Sequence, residues 1–325
     1  MEASPLSAVA PRTVVGAEEC AECHSTEEKV WKMSSHFRSN DTHRDPLTRD
    51  KAFAIASRLG IYARDIPTHA RCVGCHATIQ ENRDGVLRAL SGASCESCHG
   101  GGLNYIDVHG DEKAVPSREA RRKLSIEGGM AYPHEIHKVA ANCFRCHVIQ
   151  EEDLVNAGGH PARSGGFELA SWTQGEVRHN FYDDVMERNT KINREASPQR
   201  RRQMFVTGLL TDLEFSLRAL SKGEQRGNEF PYRQAMGQRA YAIIHTELPA
   251  LVEACGGTDR CPPQIVEILH IGESTDLTGP SEAVFRSAEA VKVQIAALCE
   301  NGPLALPGEI DPLIPEGAKG EAFRP

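Results

Sequence analysis

Every Cys-x-x-Cys in this chain is followed at once by a histidine. The four copies are Cys20-Ala-Glu-Cys23-His24, Cys72-Val-Gly-Cys75-His76, Cys95-Glu-Ser-Cys98-His99 and Cys143-Phe-Arg-Cys146-His147. They take eight of the eleven cysteines. Two thiols spaced this way on one turn can both reach the vinyl groups of a single porphyrin, and the adjacent imidazole then falls beneath the iron. Zinc also takes paired thiolates, but it does not require a histidine after each second cysteine. A redox dithiol would occur once, beside a βαβ pattern. The motif therefore points to four covalently attached haem c groups, with His24, His76, His99 and His147 as proximal ligands.

That reading constrains the fold. Residues 17–182 are rich in Gly, His and Cys and weak in hydrophobic periodicity. Four large apolar cofactors can supply the core that such side chains do not, so this region is expected to be unfolded without haem. Residues 197–300 follow a different pattern. Ser197-Pro198 is a helix start, and Leu209, Leu213, Leu217 and Leu220 recur at helical spacing. Gly223 is placed to end that helix. Further helices are expected over 232–254, after Pro262-Pro263, and over 281–300. The expected fold class is mainly α: a multihaem cytochrome c domain with little regular structure around four haems, plus a C-terminal helical bundle or extension. The expected divisions are a flexible leader (1–16), the tetrahaem domain (17–182), the helical domain (183–301) and an extended Pro/Gly-rich tail (302–325). No convincing strand alternation is visible.

Ten histidines remain for the opposite faces of the irons. A second histidine suits low-potential electron-carrying haems, whereas methionine raises the potential. If a helix continues from His24 through Trp31, His36 lies roughly 18 Å from His24. As a ligand, it would then serve a different haem. His109 follows the flexible Gly100-Gly101-Gly102 turn. His137, or His134 in its place, precedes the fourth motif closely enough to fold over a haem. His160 sits in a Gly-Gly-His-Pro turn, and His179 follows Gln174-Gly175; each is a ligand or a hydrogen-bonding neighbour. His69 is too close to Cys72 to swing over its own haem, and His43, His245 and His270 read as surface or packing residues.

With 37 basic against 45 acidic residues, the 325-residue chain carries a formal charge of −8. This is the wrong sign for a nucleic-acid binder. If each ferric haem adds about −1, the holoprotein reaches roughly −12. Its redox partner proteins are then expected to dock through basic patches. No apolar run is long enough for a transmembrane helix. The first residues lack the basic and apolar regions of a signal peptide, so a mature or recombinant form, its signal removed, is expected.

These motifs resemble the tetrahaem cytochrome c-554 family, the electron acceptor of hydroxylamine oxidoreductase, over residues 17 to about 150. The similarity lies in Cys20–His24 followed by Trp31 and His36, in Cys72–His76, in Gly92-Ala-Ser-Cys-Glu-Ser-Cys-His-Gly100 followed by His109, and in His137 ahead of the fourth motif. The resemblance implies that His109 completes the first haem, His36 the third and His137 the fourth. It also implies an open face on the second haem, at His76. Either His160 or His179, which the family pattern lacks, can close that face or replace His137. Electron transfer without substrate chemistry is the leading expectation. The alternatives are a redox enzyme acting on nitric oxide or hydroxylamine at a five-coordinate haem, and a homo-oligomer or redox-complex subunit. The resemblance further implies a periplasmic or extracellular site, an oxidising one. A Cys255–Cys261 disulfide is expected there, leaving Cys299 as a buried thiol.

Overall fold

Helices in this chain begin where side chains can satisfy their first amide groups. The Ser197 hydroxyl accepts from Arg200 N ahead of Pro198, and Ser117 accepts from Ala120 N. The Glu168 carboxylate accepts from Ala170 N and Ser171 N. At Ser94 and Ser97 the hydroxyls and amides bond reciprocally, opening the short helix of the third motif. The computed structural model describes residues 9–183, 188, 189, 191–224, 230–300 and 304–325. Residues 1–8 of the expected leader and 302–303 of the expected tail lie outside these.

The chain is mainly α and divides into two compact units that do not follow sequence order. The first comprises residues 1–135, 176–194 and 322–325. It carries short helices: α1 (Ala17–Ala21), α2 (Ser25–Met33), α3 (Arg49–Arg58), α4 (Ala70–His76), α5 (Cys95–His99), α6 (Ile106–Gly110) and α7 (Arg118–Glu127). It also holds two antiparallel hairpins, β1 (Thr78–Glu81) with β2 (Leu87–Ser91) and β3 (Tyr182–Asp183) with β4 (Arg188–Asn189). These strands escape detection by pattern because β2 is mostly exposed and has no apolar alternation. The turn makes the first hairpin: Asn82 Oδ1 accepts from Asp84 N and Val86 N, and Gly85 takes a φ of +75°.

Residues 9–16, expected to be part of a flexible leader, are seated against the third motif. Glu96, fully buried, accepts from Val15 N and Gly102 N through Oε1, both at 2.8 Å, and from Gly16 N through Oε2 at 2.9 Å. The glycine turn is there for contact as well as for bending. A Cβ on Gly101 would lie 2.1 Å from Thr13 Oγ1.

The second unit comprises residues 136–175 and 195–321. Its helices are α8 (Ile136–His147), α9 (Glu152–Asn156), α10 (Leu169–Thr173), α11 (Pro198–Lys222), α12 (Pro231–Ala242), α13 (Leu248–Ala254), α14 (Pro263–Ser274) and α15 (Ser281–Glu300). The expected stripes are buried: Leu213 and Leu217 on α11, Ala240 and Leu248, Ile265 and Ile268, and Val291 and Ile295 on α15. Helix α11 packs against α8, α10, α12 and α15. Between α12 and α13 the chain runs through a π turn, Ile243–Glu247, which accommodates Pro249 and its missing amide hydrogen.

Midway along α11, the buried Asp212 accepts both Arg163 Nη2 (2.6 and 2.7 Å) and Arg239 Nε (2.8 Å). The tail is held rather than loose. Leu306 and Ile310 are buried, a 3₁₀ turn spans Gly308–Leu313, and Asp311 takes two hydrogen bonds of 2.7 Å from Arg202. Among the described residues no helix is long and apolar enough to cross a membrane.

Candidate haem-binding sites

All eleven cysteines lie among the described residues, and none forms a disulfide. The eight motif thiols are therefore uncommitted to one another, as thioether attachment requires. Each motif ends a short helical stretch: His24 follows α1, while His76, His99 and His147 are the last residues of α4, α5 and α8. This geometry sets the two cysteines on one turn and the imidazole just beyond them.

The imidazoles provide a test of fit for haem. A metal-bound histidine engages its other ring nitrogen with a carboxylate, carbonyl or hydroxyl, which fixes the tautomer and the ring orientation. Here His76 Nδ1 is 3.2 Å from Ser39 O, His99 Nδ1 is 3.0 Å from Ala131 O, and His147 Nδ1 is 2.8 Å from Ser164 Oγ. His24 Nδ1 faces the Glu27 carboxylate at 3.9 Å, an electrostatic contact longer than a hydrogen bond. In all four motifs the protein engages Nδ1, so ligation falls to Nε2. Desolvation of the half-buried His99, followed by the charge of His179, lowers its pKa to about 4. His99 is thus held in the neutral form that a metal needs.

Three of the other predicted ligands show the same arrangement. His109 Nδ1 lies 3.2 Å from Tyr132 Oη, His160 Nδ1 2.8 Å from Pro161 O, and His179 Nδ1 2.6 Å from Val177 O. The ring of His109 stands 6.2 Å from that of His24, centre to centre, and that of His179 stands 6.1 Å from that of His99. Two imidazoles on opposite sides of one iron have centres about 6 Å apart, the sum of two bonds of about 2.0 Å and two ring radii. The residues present fit haem on this count. The ring set against His99 is that of His179, where the resemblance implied His36.

His36 and His137 are placed differently. His36 is half-buried, and desolvation lowers its pKa. Its carbonyl and that of His76 both lie within 2.9 Å of Ser39 Oγ, which also accepts from Ala93 N at 3.0 Å. Gly92 is glycine because a Cβ there would meet His36 O at 2.0 Å. His137 turns the ligating nitrogen elsewhere: its Nε2 is 3.5 Å from the buried Glu214.

The sequence gives no sign of the residues that engage these imidazoles: Glu27, Ser39, Tyr132 and Ser164. None belongs to a motif, and the Ser39–His76 and Tyr132–His109 contacts span 37 and 23 residues. Two other features concern cysteines. The Cys20 and Cys95 thiols are within hydrogen-bond reach, which brings the first and third motifs together. Cys72 packs on a cluster of Ala56, Ile61 and Ile66. An apolar cleft lined by Phe53, Ser57, Gly60, Ile61, Tyr62 and Ala63 shares Ile61 with that cluster. Cys255 and Cys261, expected as a disulfide, are buried thiols facing one another. Cys299 is half-buried, and desolvation raises its pKa.

Comparison with known proteins adds to this geometry. Residues 19–100, which span the first three motifs, match the family model described as cytochrome c554 and c-prime. Over 186 residues the chain is 25% identical to cytochrome c-554 of Nitrosomonas europaea, covering 55% of this chain and 74% of that protein. No solved structure matches.

Proposed function

We propose, from the family match over its N-terminal part, that this chain is a multihaem c-type cytochrome that carries electrons between redox partner proteins outside the cytoplasm. It would hold four haem c groups, bound through Cys20 and Cys23, Cys72 and Cys75, Cys95 and Cys98, and Cys143 and Cys146. The observation that carries this reading is the shared arrangement of the four motif histidines, each with Nδ1 turned to a protein oxygen. His109 then completes the first site and His179 the third. His36, in the first unit, and His160, in the second, remain candidate ligands, whereas His137 has its Nε2 turned to Glu214. The haem-bearing residues within 17–182 draw on both units, since α8 and His160 belong to the second.

When bound, each haem supplies a one-electron iron couple. The chain's own residues set the potential of that couple. Ser39, Ala131 and Ser164 fix the orientation of the proximal rings and Tyr132 that of His109, while desolvation keeps His99 neutral.

Intact mass and a haemochrome spectrum of the secreted holoprotein test the proposal. Four haem groups are expected, and Cys72→Ala with Cys75→Ala should remove one. Zinc in place of haem, or an unchanged haem count in that variant, would end the reading.

A second reading follows from the resemblance, in which the haem at His76 has an open face and acts on a small nitrogen compound. Electron paramagnetic resonance separates the two: low-spin signals from all four ferric haems leave such chemistry without a site. A high-spin signal that nitric oxide shifts supports it.

A further inference from the structure

The chain returns on itself soon after the fourth motif. Ser164 N donates to His147 O at 3.0 Å, Ile149 N donates to Ala162 O at 3.0 Å, and Val148 pairs with Arg163 in an antiparallel bridge. Gly166, at a φ of +68°, then turns the chain, and Trp172 Nε1 closes the turn by donating to Gly166 O at 2.9 Å. This return, residues 162–173, lies wholly in the second unit and outside the residues that the family model matches.

The return brings two aromatic rings to His147. The Phe167 ring lies parallel to the imidazole, with centres 4.2 Å apart and planes inclined by 1°. The Trp172 ring stands across the same imidazole, 5.1 Å away and inclined by 74°, and it meets Phe167 at 5.0 Å. Phe167 is braced in turn by the buried Phe144, which lies between Cys143 and Cys146, at 4.9 Å. Ser164 Oγ, 2.8 Å from Nδ1, holds the imidazole at one atom. Phe167 holds its plane. An iron-bound imidazole is electron-poor, and the negative face of a phenyl ring is a favourable neighbour for it.

We propose that Phe167 is a positioning residue of the fourth haem site, its ring stacked on His147 so that the axial imidazole keeps one rotation about its bond to iron. This inference rests on the reading of His147 as an axial ligand. The orientation of an axial ring governs its overlap with the iron orbitals, and residues behind the ligand set that orientation. A single rotation gives a single, narrow ferric signal, whereas a ring free to turn gives a spread of them. Phe167 thus acts on the iron through His147, from a segment that carries no haem motif of its own.

The test is electron paramagnetic resonance of the oxidised holoprotein, with the haem count read from intact mass. Cys143→Ala with Cys146→Ala identifies the signal of the fourth haem by removing it. Phe167→Leu keeps an apolar side chain but loses the stacked ring, so that signal should shift or broaden while the other three stay in place and four haems remain attached. Phe167→Met should do the same, and it carries the test alone if the leucine variant does not accumulate. Phe167→Tyr keeps the ring and should keep the wild-type signal. Ile268→Ala opens a cavity in α14, which packs on α13 and α15, and should move no signal although it loosens the same unit. An unchanged fourth signal in the leucine and methionine variants, a change spread over all four signals, or an equal change from Phe167→Tyr or Ile268→Ala would each overturn the proposal. Failure of the underlying reading shows separately, as fewer than four haems in the wild-type mass or four signals surviving the loss of Cys143 and Cys146.

Discussion

At the scale of single residues, a ligand is recognised by what its second nitrogen does. The proposed proximal histidines are marked in the sequence by adjacency within Cys-x-x-Cys-His. The approach of His179 to His99 is not, since 80 residues separate them and only the fold brings the rings to 6.1 Å. His179→Ala should leave the haem at His99 without its second imidazole, converting one low-spin signal to a high-spin, cyanide-binding one. His109→Ala should do the same at His24. A spectrum identical to wild type in either variant would remove that histidine from the ligand set. His137→Ala should leave all four haem signals intact, because its Nε2 is turned to Glu214.

At the scale of elements, the helices of residues 197–300 were legible almost to their ends. Ser197, Pro198, Pro263 and the leucine and valine stripes are local signals, and burial reinforces each. The β1–β2 hairpin was not legible, because its stability lies in the Asn82 turn rather than in an apolar face. Nor was the salt-bridge centre of α11. Asp212 accepts from Arg163, 49 residues away, and from Arg239, 27 residues away, a convergence only the fold produces. Removing one member of a buried pair strands the others, so Asp212→Ala should cost about 3–5 kcal/mol. Leu213→Ala, one residue on, should cost about 2–5 kcal/mol through its cavity. Denaturant unfolding monitored by circular dichroism checks both. The tail contact should respond to acid. Hydrogen bonds and charge from Arg202 hold the Asp311 carboxyl below its ordinary pKa. A group depressed on folding stabilises the folded form above its unfolded pKa and loses that contribution as pH falls through the depressed value. Protease cleavage within 304–321 should therefore accelerate only below about pH 4, and Asp311→Asn should show the faster cleavage at neutral pH.

At the scale of the whole molecule, the two units differ in what holds them together. The second has a continuous apolar core on α11, whereas the first is built from short helices in which Phe53, Tyr62 and Leu103 remain exposed. Without haem, amide exchange over residues 17–135 should become fast while α11 and α15 stay protected; equal loss in both would show that haem also sustains the helical unit. Electron transfer to a basic partner should slow as salt rises from about 0.05 M to about 0.5 M, because the Debye length shortens from about 14 Å to about 4 Å. The carboxylate of Glu96 has a further consequence, one that concerns time. It seats Val15 and Gly16, yet it lies 81 residues after Val15. At roughly 5–20 residues per second of synthesis, the chain's start waits on the order of 4–16 s for its seat to exist. The Cys20–His24 stretch is thus made before the carboxylate that seats it, and this seam can close only once the segment carrying the third motif exists.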